Sequence, residues 1–402
     1  MLDKKEIKAV NKVLRSKKLS GFVAKQSNNF NGGKYVNIFE KKLEKYFKVK
    51  YAITLNSWTS GLICCVGATG IKPGDEVIVP SWTMSATVVS ILHWNAIPIF
   101  ADIDPDTFNL DPDKIQNKIT SRTKLIIFAD IFGNPANYKK IIKIAKKYKL
   151  KVIADSAQAP GIKYDNNYCG TISELGGLSL NYHKHIHTGE GGVIFTNDKI
   201  LSDKVKMLRN HGENITEGKS SEFLNNMIGF NFRMGEMEAA VGIEQLKKLK
   251  MILKKKQDLS YLLTKQLQDL KGLKLPLVKD YSKNAFYIYP LVLNKDIIKT
   301  SRKKIALLLE KEIKKKIIIA GYQNIHRLPI FKKKKCYGGL NFPWKLNANI
   351  KYDYSSGSLP VSEELHNKTF IGILMCKYDL EFSDVYKISK SFKKVWKKIN
   401  FY

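Results

Sequence analysis

Between residues 77 and 198 the chain alternates short apolar runs with longer amphipathic stretches, and few architectures accommodate that rhythm. VIVP (77–80), IPIFADI (97–103), KLIIFADI (124–131), KVIAD (151–155) and GVIFTND (192–198) are short and apolar on both sides, as buried strands are. The stretches around 59–69, 84–94 and 136–149 carry helical spacing between them. Strand and helix in alternation predict an α/β domain whose mostly parallel, mixed sheet is covered by helices on both faces. Functional groups in such sheets gather beyond the carboxyl ends of the strands.

Outside that region the pattern changes. Val36, Phe39, Leu43 and Phe47 recur at helical spacing. A long, Lys-rich helix is predicted from Gly235 to about Leu270. Beyond it, one strand-like segment (AFYIYPLVL, 285–293) and helices at 303–315 and 384–398 suit a smaller C-terminal α+β domain. The expected division is a large domain over 1–250, N-terminal segment included, and a small domain over 251–402. A polar insert at about 332–356 is the least regular part.

Charge and cysteines narrow the function classes. The net charge of +33 raises nucleic acid as a partner, yet only six of the 69 basic residues are Arg, the side chain suited to planar phosphate recognition. No nucleic-acid motif accompanies the charge, so the reading is no nucleic acid, with a positive field that favours an acidic substrate. No apolar run approaches the ~20 residues of a membrane-spanning helix, and the basic N-terminus lacks the apolar core of a secretory signal. A cytoplasmic protein with no membrane partner is expected. The five cysteines show no CxxC spacing, which points to reduced thiols.

Three segments carry candidate chemistry. In SLNYHKHIHTGEGGVIFTND (179–198), Lys184 stands just before a glycine turn. A lysine desolvated there would be an imine-forming amine, although any one of 63 lysines is by default a surface charge. KVIADSAQAPG (151–161) puts Asp155 at the end of a buried strand, where its charge needs a partner such as a protonated ring nitrogen; capping the next turn is the plainer role. TLNSWTSGL (54–62) places Ser and Thr at an expected helix start, fit for a phosphate or for an ordinary N-cap. His183, His185 and His187 invite a metal, but no Cys or carboxylate lies within the triplet to complete a site, and none is expected.

Taken in order, these segments resemble the DegT-type (DegT/DnrJ/StrS) sugar aminotransferases, pyridoxal-phosphate (PLP) enzymes of fold type I. LSGF, GGKYVNIFE, GIKPGDEVIVPSWT, ADIDPDTFNLDP, GNPAN, LRNHG and GFNFRMGEMEAAVGIEQL extend the likeness across nearly the whole chain. The resemblance implies that Lys184 binds PLP covalently and then shuttles a proton. Asp155 would meet the pyridine nitrogen and Gln158 the ring hydroxyl. Ser179, with Thr59 and Ser60, would hold the phosphate. Asn231 would reach the phosphate of a neighbouring subunit in a homodimer, and His326 would lie near the sugar nucleotide. Two residues depart from the family pattern. Met84 replaces a stacking aromatic residue, so Met84 or Trp82 must cover the ring, and Trp58 replaces a glycine in the phosphate turn.

The implied reaction moves an amino group from L-glutamate to the ketone of a nucleotide-linked (6-deoxy) keto sugar, for amino-sugar and polysaccharide biosynthesis. The rivals are an aminotransferase for a cyclitol ketone, to which the insert gives weight, and a sugar dehydratase on the same fold, whose members carry His where this chain has Lys184. A basic nucleic-acid-binding regulator is the non-enzymatic rival.

Overall fold

The computed structural model describes residues 2–277 and 283–402. Along the chain run α1 (Lys4–Ser16), α2 (Lys34–Phe47), β1 (Tyr51–Leu55), α3 (Trp58–Ala68), β2 (Glu76–Pro80), α4 (Ser85–His93), β3 (Ile97–Ala101), β4 (Thr123–Ala129), α5 (Tyr138–Lys147) and β5 (Lys151–Asp155). A small hairpin, β6 (Lys163–Tyr164) and β7 (Asn167–Tyr168), leads to β8 (Leu175–Ser179), β9 (Gly192–Thr196), α6 (Lys199–Arg209) and the long α7 (Glu236–Leu267). The C-terminal part holds β10 (Leu273–Lys274), β11 (Ile288–Leu293), α8 (Arg302–Ile313), β12 (Ile318–Ala320), α9 (Pro329–Lys332), α10 (Pro360–Glu364), β13 (Phe370–Leu374) and α11 (Phe382–Trp396).

Seven strands form one sheet in the order β1-β9-β8-β5-β4-β2-β3. Only β9 runs against its neighbours, so the sheet is mixed but mostly parallel, as the strand–helix alternation implies. Successive side chains of each strand go to opposite faces and build two cores. Val77, Val79, Leu125, Ile127 and Ile153 meet α3, α4 and α6 on one face. Ile78, Ile126, Phe128, Val152 and Phe195 meet α2, α5 and the first half of α7 on the other. A second, antiparallel sheet in the order β10-β11-β13-β12 packs with α8, α11 and Leu259, Leu263 and Leu267 of α7. One 32-residue helix therefore contributes to the cores of both sheets.

Two strands of the seven-stranded sheet escaped the apolar pattern. β8 reads LGGLS, and its glycines serve close approach: a Cβ on Gly176 would stand 2.4 Å from the Gly170 carbonyl. β1 reads YAITL, where Tyr51 and Thr54 interrupt the apolar run that marks the other buried strands. The polar insert also has an ordered place. Trp344, Tyr352 and Tyr354 are buried in the core that α3 and α4 share. The Tyr354 hydroxyl donates to the Pro98 carbonyl of β3 at 2.8 Å, the outer strand of the sheet, and Tyr352 donates to Glu76 at 2.9 Å.

Helix α2 has Gly33 at its N-cap with no side-chain bond of its own; Glu236 of α7 supplies it, accepting from the Tyr35 and Val36 N–H groups at 2.8 and 3.2 Å. Further along the same helix pair, Gly242 faces the fully buried Phe39 ring, and a Cβ there would lie 2.5 Å from Cε1 and Cζ. Replacing an interior helix glycine by alanine ordinarily stabilises by ~1 kcal/mol. Here Gly242→Ala is expected to destabilise by about 1–3 kcal/mol through overpacking, read as a lower Tm. A rise in Tm would show that α2 and α7 are not packed this closely.

Candidate active site

Parallel strands end where helices begin, and at that edge four strand ends contribute to one cavity of about 230 Å³. β4 ends in Ala129 and Asp130, β5 in Asp155, and β8 in Ser179, while the turn after β2 brings Thr83 and Met84. The register places Asp155 between Ala129 and Gly177 on the neighbouring strands.

Asp155 is almost fully buried, and its charge is met by donors. The Trp58 indole Nε1 donates to Oδ1 at 2.7 Å, the Ala157 N–H to the same oxygen at 3.2 Å, and the Thr87 hydroxyl to Oδ2 at 2.6 Å. Asp130 is fully buried behind it. Burial pushes its carboxyl up to about 6, against hydrogen bonds from the Ser156 hydroxyl, the Ala136 N–H and the Tyr138 hydroxyl.

Lys184 follows β8 in a turn in which its N–H donates to the Asn181 carbonyl at 2.9 Å. Its Nζ lies over the Tyr287 ring, 4.3 Å from the centroid. Burial lowers its pKa from 10.5 to about 8, with the Asp155 charge opposing. Tyr287 comes from the C-terminal part of the chain and is tied in by backbone: its N–H donates to the Phe132 carbonyl and the Ala285 N–H to the Gly133 carbonyl, both at 2.9 Å. His185 adds a contact of 2.7 Å between Nε2 and the Ala285 carbonyl, and burial drives its pKa down to about 3. This stretch is a turn rather than an extended strand, and among the described residues no three His, Cys, Asp or Glu side chains converge as a metal site.

Helix α3 starts at the cavity. Ser57 caps it, accepting from the Ser60 N–H at 3.1 Å, and Thr59 lines the wall. Gly192 of β9 is pressed against this turn: a Cβ would stand 2.5 Å from the Ser57 carbonyl and 2.7 Å from the Trp58 nitrogen. That contact brings Ser179, the register partner of Gly192, to the same corner.

The cavity thus collects Lys184, Asp155, Gln158, Ser179, Thr59 and Met84 from the sequence expectations. It does not collect Ser60, Trp82, His326 or Asn231. The Ser60 N–H is used by the Ser57 cap. Trp82 is fully buried among Phe108, Phe132, Tyr322 and Phe370 and donates to Asn324 at 2.7 Å, so covering the ring would fall to Met84, whose side chain stands exposed in the wall. His326 is fully buried with Nε2 3.0 Å from Glu363. Asn231 lies exposed and accepts from Arg233 at 2.7 Å. Tyr287, Tyr322 and Asn181 line the cavity without having been singled out in the sequence, and His183, read there only as a metal candidate, joins them. The tyrosines lie over 100 positions from Lys184, and only the fold brings them close.

The residues present fit a phosphorylated pyridine aldehyde. Lys184 is a buried amine with no carboxylate in salt-bridge reach among the described residues, Asp155 is a fixed acceptor, and α3 offers a helix N-terminus beside Ser179 and Thr59. Asn181 Oδ1, buried in the wall, has no hydrogen-bond partner.

The profile of the DegT/DnrJ/EryC1/StrS aminotransferase family matches residues 2–373. The chain is 30% identical to a spore coat polysaccharide biosynthesis protein of Bacillus subtilis, over 86% of this chain and 88% of that one. It is 35% identical to the GDP-perosamine synthase of Escherichia coli O157:H7, over 65% of this chain and 69% of that one. Its fold matches a Helicobacter pylori aminotransferase involved in the biosynthesis of pseudoaminic acid with a TM-score of 0.79 at 28% identity, covering 99% and 98% of the two chains. Sheet, cavity lysine and overlay together define a fold-type-I transaminase. The chain belongs to the DegT/DnrJ/EryC1/StrS family of sugar aminotransferases, whose members depend on PLP.

The buried amine has a measurable signature in the apoprotein. The unfolded chain keeps the Lys184 proton up to the ordinary lysine range near 10.5, whereas the folded chain sheds it near 8. The burial penalty is full below pH 8 and disappears as pH rises toward 10.5. Lys184→Met is therefore expected to be more stable than the wild type at pH 7, by up to about 3 kcal/mol. That gap should close between pH 8 and 10 in denaturant titrations. A gap constant over that range would mean that Lys184 titrates like a surface lysine.

Proposed function

We propose that this enzyme transfers an amino group from L-glutamate to the ketone of a nucleotide-linked, 6-deoxy keto sugar, acting in the cytoplasm as a homodimer that supplies amino-sugar and polysaccharide assembly. The observation that carries the reading is Lys184, a buried amine of lowered pKa set over Tyr287 in one cavity with Asp155. The spore-coat and perosamine relatives support a sugar product, and the nucleotide in the latter's name suits an acidic substrate for a chain of net charge +33. No described helix is long and apolar enough to cross a membrane.

Bound PLP supplies an electron sink for the carbon that gains or loses the amino group. In this reading Lys184 Nζ would hold the cofactor, and as a free amine it would carry the proton to and from the substrate carbon. Asp155 holds the proton on the ring nitrogen. Gln158, whose Oε1 is fixed by the Phe132 N–H at 2.7 Å, faces the ring hydroxyl. Ser179, Thr59 and the N-terminus of α3 hold the phosphate, Asn231 of the partner subunit completes that corner, and Met84 covers the ring. None of residues 332–356 lines the cavity.

Purified protein mixed with PLP is expected to show a visible absorption band that borohydride fixes to Lys184, as peptide mass mapping would read. Lys184→Ala should lose the adduct, and turnover should fall at least about 10²–10⁴-fold. A reducible adduct that survives in Lys184→Ala would refute the assignment. For the substrate, nucleotide-linked amino sugars offered with 2-oxoglutarate should yield glutamate. Turnover confined to amino cyclitols would overturn the sugar-nucleotide reading.

A further inference from the structure

Trp58 is the family departure that the site does not yet explain. It is the first residue of α3, 5% exposed, and it lines the cavity. Its indole fills a slot made by two glycines. A Cβ on Gly177 of β8 would stand 2.3 Å from Cζ3 and 2.5 Å from Cη2, and one on Gly61 would stand 2.7 Å from Cε3. Neither glycine has a backbone conformation reserved to glycine; at Gly61 the indole is what excludes a side chain, and at Gly177 the indole does so together with the Val193 carbonyl of the neighbouring strand, which such a Cβ would meet closer still. An interior glycine weakens a helix and a strand alike. The indole occupies space that both glycines leave open.

That ring directs its N–H at Asp155 Oδ1. The other oxygen is held by the Thr87 hydroxyl, itself 2.7 Å from the Thr83 hydroxyl. With one side-chain donor on each oxygen, the carboxylate plane is fixed and the lone pairs left for a further donor have one direction. Without Trp58, Oδ1 would keep only the longer bond from the Ala157 N–H at 3.2 Å, and the carboxylate would be less tightly fixed than with a side-chain donor on each oxygen.

We propose that Trp58 is a positioning residue: seated by Gly61 and Gly177, its indole N–H orients the Asp155 carboxylate to receive the protonated nitrogen of a pyridine-type cofactor. This role rests on the PLP reading above. It acts through Asp155, which separates it from ordinary packing.

The test is PLP binding to apoprotein, followed by absorbance and protein fluorescence, for wild type, Trp58→Phe, Asp155→Asn and the double variant. Trp58→Phe keeps a ring in the slot and removes the donor. It is expected to fold, with a Tm within a few degrees of wild type, and to bind PLP at least about tenfold more weakly. In the Asp155→Asn background the same change should cost nothing further. An equal loss in both backgrounds, or no loss in either, overturns the role. If Trp58→Phe does not fold, the wild-type apoprotein decides. Its five Trp give five indole N–H resonances. One should move strongly on adding PLP, and movement of none overturns the role. A wild type that takes up no PLP overturns the cofactor reading and this role together. Normal uptake by wild type with unchanged binding by Trp58→Phe overturns the role alone.

Discussion

A carboxylate buried at the end of a strand must be compensated, and in this fold the compensation of Asp155 organises everything near it. Its donors come from α3, from α4 and from the turn after β5, so those elements are held in one arrangement around one charge. The second buried carboxylate, Asp130, sits one strand away and is satisfied by Ser156, Tyr138 and the Ala136 N–H. The two acids are also linked through backbone, the Asp130 N–H donating to the Asp155 carbonyl at 3.0 Å. The cavity floor is thus a polar network inside an apolar sheet, and such networks confer rigidity when every member is satisfied.

The amine side of the site depends on a different constraint. Lys184 is held where its charge is disfavoured, and part of the wall beside it, Tyr287 and Tyr322, comes from the distant C-terminal part. The Phe132–Gly133 turn and His185 bind residues 285–287 by backbone contacts, which fixes Tyr287 without relying on side-chain packing alone. Phe132 adopts a φ of +60° to present its carbonyl there, a left-handed conformation uncommon for a bulky residue. Chemistry on the large sheet therefore requires the smaller sheet to be in place.

The sequence made the fold legible wherever burial on both faces left an unbroken apolar run, as in β2, β4 and β5. It concealed β8, because two glycines there make room for the Gly170 carbonyl and the Trp58 ring instead of packing side chains. At the site, Lys184 and Asp155 stood out locally, beside a glycine turn and at a strand end, whereas Gln158 and Ser179 came in through the family resemblance; the fold brings all four to one cavity. Trp82 and His326 looked equally suitable, but residue type does not reveal burial, and both turned inward to satisfy Asn324 and Glu363. Tyr287 and Tyr322 carried no local signal. Trp58 read as a disturbance in a phosphate-binding turn, since nothing in a linear pattern shows that an indole and two glycines share one volume.

The insert at 332–356, featureless as sequence, covers the outer strand of the main sheet. An open strand is a template on which another chain can pair, and repeated pairing of that kind leads to aggregates. β3 carries Pro98, which offers no N–H, and the carbonyl of that same residue is taken by Tyr354. What lies along this border is thus a terminator of sheet growth. The segment with least periodicity is the one that keeps the β3 edge of a seven-stranded sheet from acquiring a further strand from a neighbour in a crowded solution.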